Sequence, residues 1–543
     1  MRYILVLLIT ALINIVNAQE KYWVSYKDKA ASNFSIENPE AFMSKNALAR
    51  RTKHHIKISD TDIPVCKAYT NTISALGVEV NKSSNWLNGS LVYIADNSKV
   101  SLIEGLEFVK SIQGLSITKT KIAKNKFNLI STRINKTEYD YGDGLNQIKM
   151  LAGNSLHDLD FRGKGIEIAI MDNGFPNVNT NRFYQKAYQE GRIRVGYDFV
   201  NDNDTVFDNT NGNHGNYVIS TMVSDIKEEM IGTAPDATYY LFSTEDNYNE
   251  GLPEEYNWAM AAEMADSLMG ENAIISTSLG YSNDFDIDST SHTYQDMDGN
   301  TTPITIAADL AAAKGFLVIN SAGNSGSDPW HYITAPSDGD SVLCIGAVGP
   351  NRDLAAFSSR GPAFDGDVKP NVCAQGLAAV GINAFGQIVR INGTSFSCPI
   401  TAGMAACLWQ AFPEKSNMEI FYAIEKSAHL FSNPNDDYGY GIPNFKLSYL
   451  YLLNTNIPEN EMVIFPNPVT NAINFILKNK DLDTEYKAEI YNLNGELMKS
   501  QFFTKNEALN IYIFEDVSML SSGTYFLSIR TKKDNFQSKF IKK

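Results

Sequence analysis

Between residues 145 and 450 the apolar positions fall into two kinds of run that alternate along the chain. Runs such as Ile166-Glu167-Ile168-Ala169-Ile170-Met171 and Phe316-Leu317-Val318-Ile319 are nearly continuous, as expected of strands buried on both faces. Other stretches have helical spacing, including Tyr217, Val218, Met222 and Val223, and Ile400, Ala402, Met404, Ala405, Cys407 and Leu408. This alternation predicts an α/β region, a parallel sheet covered by helices. Residues 20–118 instead mix strand-like runs (22–26 and 90–95) with helical ones (39–51, 63–76 and 99–106), an α+β pattern. After a polar linker at 454–461, short strand-like runs at 472–477, 486–492, 509–514, 524–530 and 536–541 predict a small β-sandwich. Turns at Asn494-Gly495 and Ser522-Gly523 punctuate those runs.

Four polar residues stand at edges of the predicted elements. Asp172 ends the first buried strand, before Asn173-Gly174 turns the chain. That is where open α/β sheets place their sites. His214, followed by Gly215, opens a helix, and Asn324 lies in the turn after the strand at 316–320. Ser395 sits between Gly393-Thr394 and a helix that starts at once. A serine there has the partly positive helix end and free backbone N–H groups beside it, a setting that suits a nucleophile. Each has a plain structural alternative: a helix cap for the serine, a turn former for the aspartate, a packing role for the histidine. Together they give Asp, His, Asn, Ser in chain order.

The surrounding motifs are Gly163-Lys164-Gly165, His214-Gly215, Gly232-Thr233-Ala234-Pro235, Ser278-Leu279-Gly280, Ser358-Ser359-Arg360-Gly361-Pro362, Lys369-Pro370-Asn371-Val372 and Gly439-Tyr440-Gly441-Ile442-Pro443-Asn444. On these, residues 145–453 resemble a subtilisin-like serine peptidase (subtilase). The resemblance implies Asp172, His214 and Ser395 as a catalytic triad. It further implies Asn324 as an oxyanion donor beside the Ser395 N–H, and Ser278, Leu279 and Gly280 along the cleft for protein or peptide substrates. No metal or cofactor is required for that catalysis. Two departures stand out: Asn173 where the family usually has Ser or Thr, and Asn216 where it usually has Thr or Ser. Both keep a short polar side chain able to hydrogen-bond locally. An inactive subtilase-like scaffold and a surface adhesin, its C-terminal sandwich carrying the function, are the rival readings.

Residues 1–18 read as a secretory signal peptide, with a basic start, a short apolar centre and a small residue before the cut. Residues 19–118 resemble a subtilase propeptide, an intramolecular inhibitor. Residues 119–144 read as an exposed linker carrying the maturation cut. Residues 462–543 resemble the C-terminal sorting domain of type IX secretion, through Phe465-Pro466-Asn467-Pro468, Ile490-Tyr491-Asn492-Leu493-Asn494-Gly495 and Gly523-Thr524-Tyr525. The expectation is a self-maturing preproenzyme, secreted or held on the cell surface by the type IX machinery.

Charge is uneven. Residues 19–138 hold 18 Lys+Arg against 11 Asp+Glu, and residues 139–453 hold 16 against 40. The acidic centre makes nucleic acid an unsuitable partner, while a basic leader complements it. The five cysteines, Cys66, Cys344, Cys373, Cys398 and Cys407, read as buried free thiols, with a reactive Cys398 as the alternative. The acidic stretch from Asp284 to Asp288 resembles a calcium loop, but Gln295 stands where the closing Glu would be. Solvated loops are the preferred reading, with structural calcium left open.

Overall fold

The computed structural model describes residues 20–115, 141–208, 212–286, 288–459, 461–465, 467–469, 472–479, 485–504, 511–514, 516–531 and 534–543. The expected signal peptide and most of the expected linker, with its maturation cut, lie outside these residues.

The leader runs β1 (Glu20–Tyr26), α1 (Lys45–Lys53), α2 (Lys67–Ala75), β2 (Glu79–Ser84), β3 (Gly89–Ile94), α3 (Ser98–Glu104) and β4 (Val109–Gly114). Its four strands form one antiparallel sheet in the order β2-β3-β1-β4. The α+β expectation holds, and two strands join the two expected. β2 and β4 (Glu-Val-Asn-Lys-Ser-Ser and Val-Lys-Ser-Ile-Gln-Gly) are mostly polar and lie at the sheet's edges, so hydrophobic patterning gives little sign of them.

The central unit comprises α4 (Leu145–Met150), α5 (Asn154–His157), β5 (Glu167–Asp172), α6 (Gln185–Gln189), β6 (Ile193–Asp198), α7 (His214–Val223), the short β7 (Asp225–Ile226) and β8 (Met230–Ile231), β9 (Thr238–Ser243), α8 (Leu252–Leu268), β10 (Ala273–Thr277), α9 (Pro303–Ala313), β11 (Phe316–Ser321), β12 (Val342–Val348), β13 (Val372–Gln375), the hairpin β14 (Ala379–Ile382) and β15 (Ile388–Ile391), α10 (Thr394–Ala411), α11 (Asn417–Lys426) and α12 (Phe445–Asn456). Seven parallel strands form the sheet β13-β12-β11-β10-β5-β9-β6. Both faces are covered, and alternate side chains feed two cores. Ile168, Ile170, Ile274, Leu317 and Ile319 join α7 and α10 on one side. Ala169, Met171, Ile275, Phe316 and Val318 join α8 and α9 on the other.

The leader completes that second core. Trp23, Trp86, Leu91 and Leu115 are buried in it, and the Trp23 ring stacks on Tyr256 with centroids 4.0 Å apart. Glu263 on α8 accepts from the Asn85 N–H at 2.8 Å, the Trp86 N–H at 3.1 Å and the Ser84 hydroxyl. Lys82 pairs with Asp202 at 2.6 Å.

At the C-terminal end lie β16 (Glu461–Phe465), β17 (Ile473–Lys478), β18 (Glu485–Asn492), β19 (Leu497–Thr504), β20 (Ile511–Phe514), β21 (Gly523–Arg530) and β22 (Asn535–Lys542). They form two antiparallel sheets, β16-β17-β20 and β19-β18-β21-β22. Both sheets feed one core, in which Phe475, Ile490, Phe514, Leu527 and Phe540 are fully buried. This is the expected sandwich, and among the described residues its core draws on none before Met462.

Candidate active site

Strand order reverses on either side of β5: β9 and β6 lie to one side, β10 to β13 to the other. The crevice at the C-terminal ends of such strands is the expected place for a site. Thr277 pairs with Met171 and with Asn320, so Asp172, Ser278 and Ser321 come to one level at the strand ends. Asp172 is buried there, its carboxylate accepting from the Asn173 N–H at 2.8 Å.

His214 is the first residue of α7. Its Nδ1 lies 2.8 Å and 2.9 Å from the two Asp172 carboxylate oxygens. That geometry puts the ring proton on Nδ1. Asn173 Oδ1 accepts the His214 backbone N–H at 2.9 Å. Asn216 is fully buried; its amide donates to the Pro176 carbonyl at 2.6 Å and its oxygen accepts from the Tyr184 hydroxyl at 3.2 Å. The two departures noted in the sequence thus fix the helix that carries the histidine. Gly215 is required by packing, since a Cβ there would come within 2.6 Å of the Gly174 carbonyl and the Phe175 ring.

Ser395 is the second residue of α10, after Gly393, whose φ of 152° favours glycine. The Phe396 ring lies 5.8 Å from that of His214, which places the imidazole against the first turn of α10. The Ser395 hydroxyl donates to the Ser278 carbonyl at 3.4 Å, a long and weak bond. Asn324 is exposed at the crevice, and its side-chain oxygen accepts from the Thr394 N–H at 2.8 Å and the Thr394 hydroxyl at 3.1 Å. With the oxygen held there, the Asn324 side chain is fixed against the first turn of α10, one residue before the Ser395 N–H. Sequence reasoning passed over Thr394 in this role, because its partner lies 70 residues away.

Ser278 is buried, with Leu279 and Gly280 partly buried beside it. The Leu279 carbonyl accepts from Asn320 Nδ2 at 3.1 Å and from the Ser321 hydroxyl at 3.4 Å. Hydrogen bonds thus join Asp172 to His214 and Ser278 to Ser395, and tie Asn324 to the first turn of α10.

All five cysteines are buried free thiols. Burial pushes the Cys398 thiol up to about 12, so it is no ready thiolate. In the acidic stretch that resembles a calcium loop, Asp284 accepts from the Ser282 hydroxyl and Asp286 from the Glu250 N–H, and beyond it Asp296 accepts from the Thr293 N–H. Among the described residues, carboxylates gather within 4.8 Å at Glu245, Glu250 and Glu254, and at Asp340, Asp365 and Asp367. Neither group includes the Asp284–Asp288 run.

Comparisons with known proteins agree with this geometry. A family model described as the subtilase family matches residues 163–441. One for the peptidase S8 propeptide domain of Bacteroidota matches residues 21–129, and one for a secretion system C-terminal sorting domain matches residues 463–543. Subtilisin DY of Bacillus licheniformis is 25% identical over 297 residues, covering 54% of this chain and 93% of its own length. Subtilisin E of Bacillus subtilis (strain 168) is 26% identical over 304 residues, covering 55% and 69%. The crystal structure of the epidermin leader peptide processing serine protease of Staphylococcus aureus shares the fold, with a TM-score of 0.53 at 14% identity over 80% of this chain and 99% of that one.

Proposed function

The chain belongs to the subtilase family, and from that premise we propose that Asp172, His214 and Ser395 are the catalytic triad of this serine endopeptidase. The observation that carries the assignment is the pair of Asp172 contacts to His214 Nδ1 at 2.8 Å and 2.9 Å. They leave Nε2 to act as base at the start of the serine helix.

In the proposed mechanism the Ser395 hydroxyl gives up its long bond to Ser278 for His214 Nε2. As Oγ attacks the scissile carbonyl carbon, its proton passes to Nε2. Asp172 holds the tautomer and stabilises the imidazolium. The negative charge growing on the carbonyl oxygen meets the Asn324 NH₂ and the Ser395 N–H, donors already in place before the reaction. His214 then protonates the leaving amine, the C–N bond breaks, and an acyl-enzyme remains on Ser395. Water, deprotonated by His214, hydrolyses the ester and restores the hydroxyl. No step needs a metal.

Ser278-Leu279-Gly280 offers an edge along which an extended protein or peptide substrate lies. Residues 19–118 act as an intramolecular inhibitor and residues 145–453 form the peptidase. The cut falls within 119–144. Residues 462–543 are a sorting domain of type IX secretion, and the protein is secreted or held on the cell surface. Asn173 and Asn216 hold the helix that carries the histidine and so favour activity over an inactive scaffold. Labelling with a serine-directed fluorophosphonate, followed by peptide mapping, tests the assignment. The adduct is expected on Ser395, and a folded protein that takes up no label there contradicts it.

A further inference from the structure

The leader and the peptidase exchange charges in one buried cluster far along the chain from the triad. Arg50 and Arg51, on α1, reach the C-terminal end of α8. Arg50 donates to the carbonyls of Asp266, Met269 and Gly270 at 2.6 Å, 2.7 Å and 2.6 Å, and to the Asp266 carboxylate. Its guanidinium also lies 4.3 Å from the centre of the Phe316 ring. Arg51 donates to both Asp266 carboxylate oxygens at 2.8 Å and 2.9 Å, to the Lys314 carbonyl at 3.0 Å and to Asp62 at 3.0 Å. Lys314, just past α9, returns the exchange to the leader through Asp62 at 2.7 Å and Thr61 at 2.9 Å. None of the five charged side chains is more than 11% exposed.

The chemistry of this cluster is specific. Carbonyls at a helix C-terminus carry the negative end of the helix dipole, and the planar fork of the Arg50 guanidinium meets three carbonyls there together with the Asp266 carboxylate. Each body supplies a charge that the other must neutralise: Asp266 serves the leader's arginines, and Asp62 serves the peptidase's lysine. In water each charge is solvated, but docking without its partner would bury it unpaired. Arginine does not titrate in the neutral range, so the hold does not depend on neutral pH.

We infer that Arg50-Arg51 is the latch that keeps the leader on the peptidase after the linker is cut, and that the C-terminal end of α8, with Asp266 and Lys314, is its receptor. The inference rests on the reading that this leader is cut off by its own enzyme. Breaking the linker leaves every one of these contacts in place, because none belongs to residues 119–144. The cleaved leader therefore stays docked, and the time to activity is set by how long the latch holds. A leader lacking the two arginines or Asp62 does not fit this receptor.

The test uses the full chain. Leader retention after cleavage is followed by native mass spectrometry, with peptide hydrolysis measured alongside. The variants are Arg50→Gln/Arg51→Gln, Asp62→Lys, Lys314→Asp and the swap Asp62→Lys/Lys314→Asp. The arginine pair and both single charge reversals are expected to release the cleaved leader about 10²-fold faster than wild type, with active enzyme appearing correspondingly sooner. The swap is expected to recover most of the retention. Equal retention in the double-arginine variant, or a swap no better than its single parents, overturns the inference. Hydrogen exchange on the uncut Ser395→Ala chain gives a second readout in folded material. Amides of residues 45–53 are expected to exchange faster without the arginines, and unchanged exchange is contrary to the latch. If the wild-type chain is never cut, the self-processing reading fails by itself, while the exchange measurement still decides the latch.

Discussion

The Ser278 hydroxyl donates to the main-chain carbonyl of Ser395 at 2.8 Å, taking the place of a hydrogen bond that α10 cannot make for itself. Residue 399 is a proline inside the helix, with no N–H to return to the carbonyl four residues earlier. The open carbonyl belongs to the proposed nucleophile, and the hydroxyl that fills it belongs to the segment proposed to border the substrate cleft. Fixing one therefore fixes the other. Ser278→Ala leaves that carbonyl buried and unpaired, at ~1–3 kcal/mol. Chemical denaturation should show that loss of stability, and kcat should fall about tenfold or more with KM little changed.

The support of His214 by Asn173 predicts a graded series. Asn173→Ala removes the 2.9 Å bond to the His214 N–H and should lower kcat/KM by about tenfold, consistent with ~1 kcal/mol for one net hydrogen bond plus loosened geometry. Asn173→Ser should restore most of the activity, because a serine oxygen can also accept from a helix-start N–H. Steady-state kinetics on the three proteins checks the order.

Glu263 predicts how leader affinity responds to pH. Burial beneath the leader raises its carboxyl from the ordinary 4.5 to about 7, outweighing the donors from Ser84, Asn85 and Trp86 and the charge of Lys29, which all lower it. With the leader gone and the group exposed, its ordinary value returns. The bound state then holds a proton that the free state has lost, at pH values between 4.5 and about 7. This contribution to affinity is full below 4.5 and is lost as pH rises through about 7. The cleaved leader should bind the Ser395→Ala peptidase more tightly at pH 5 than at pH 8, and Glu263→Gln should flatten that difference. Titration calorimetry at the two pH values provides the comparison.

The C-terminal sandwich has a core of its own, so removing residues 462–543 should leave a folded and active peptidase that no longer leaves the host cell. Zymography of cell and medium fractions would show activity retained inside. Normal export of the truncated protein would remove the sorting role.

Much of this site was legible because its residues lie at element ends, where patterning is clear. Asp172, His214, Asn324 and Ser395 each follow or open a strongly apolar run. The edge strands β2 and β4 were not legible, since hydrogen bonding to neighbours, rather than a buried face, defines them. Nor could sequence show that Thr394 orients Asn324, or that Arg50 and Arg51 are buried. Those relations join residues 70 and more than 200 positions apart. The charge contrast between leader and peptidase did foreshadow a docked leader. It did not foreshadow that Lys314 and Asp62 reverse the general direction of that contrast at the interface.

The central claim is that Ser395 is the nucleophile, served by His214 and an oxyanion site that includes Asn324. The most direct measurement is hydrolysis of a peptide library by wild type, Ser395→Ala and Asn324→Ala, each shown to be folded by circular dichroism. Wild type should cleave, and Ser395→Ala should fall to background. Asn324→Ala should keep a residue of activity, reduced ~10²–10³-fold, because the Ser395 N–H still donates. Equal cleavage by wild type and Ser395→Ala would contradict the account.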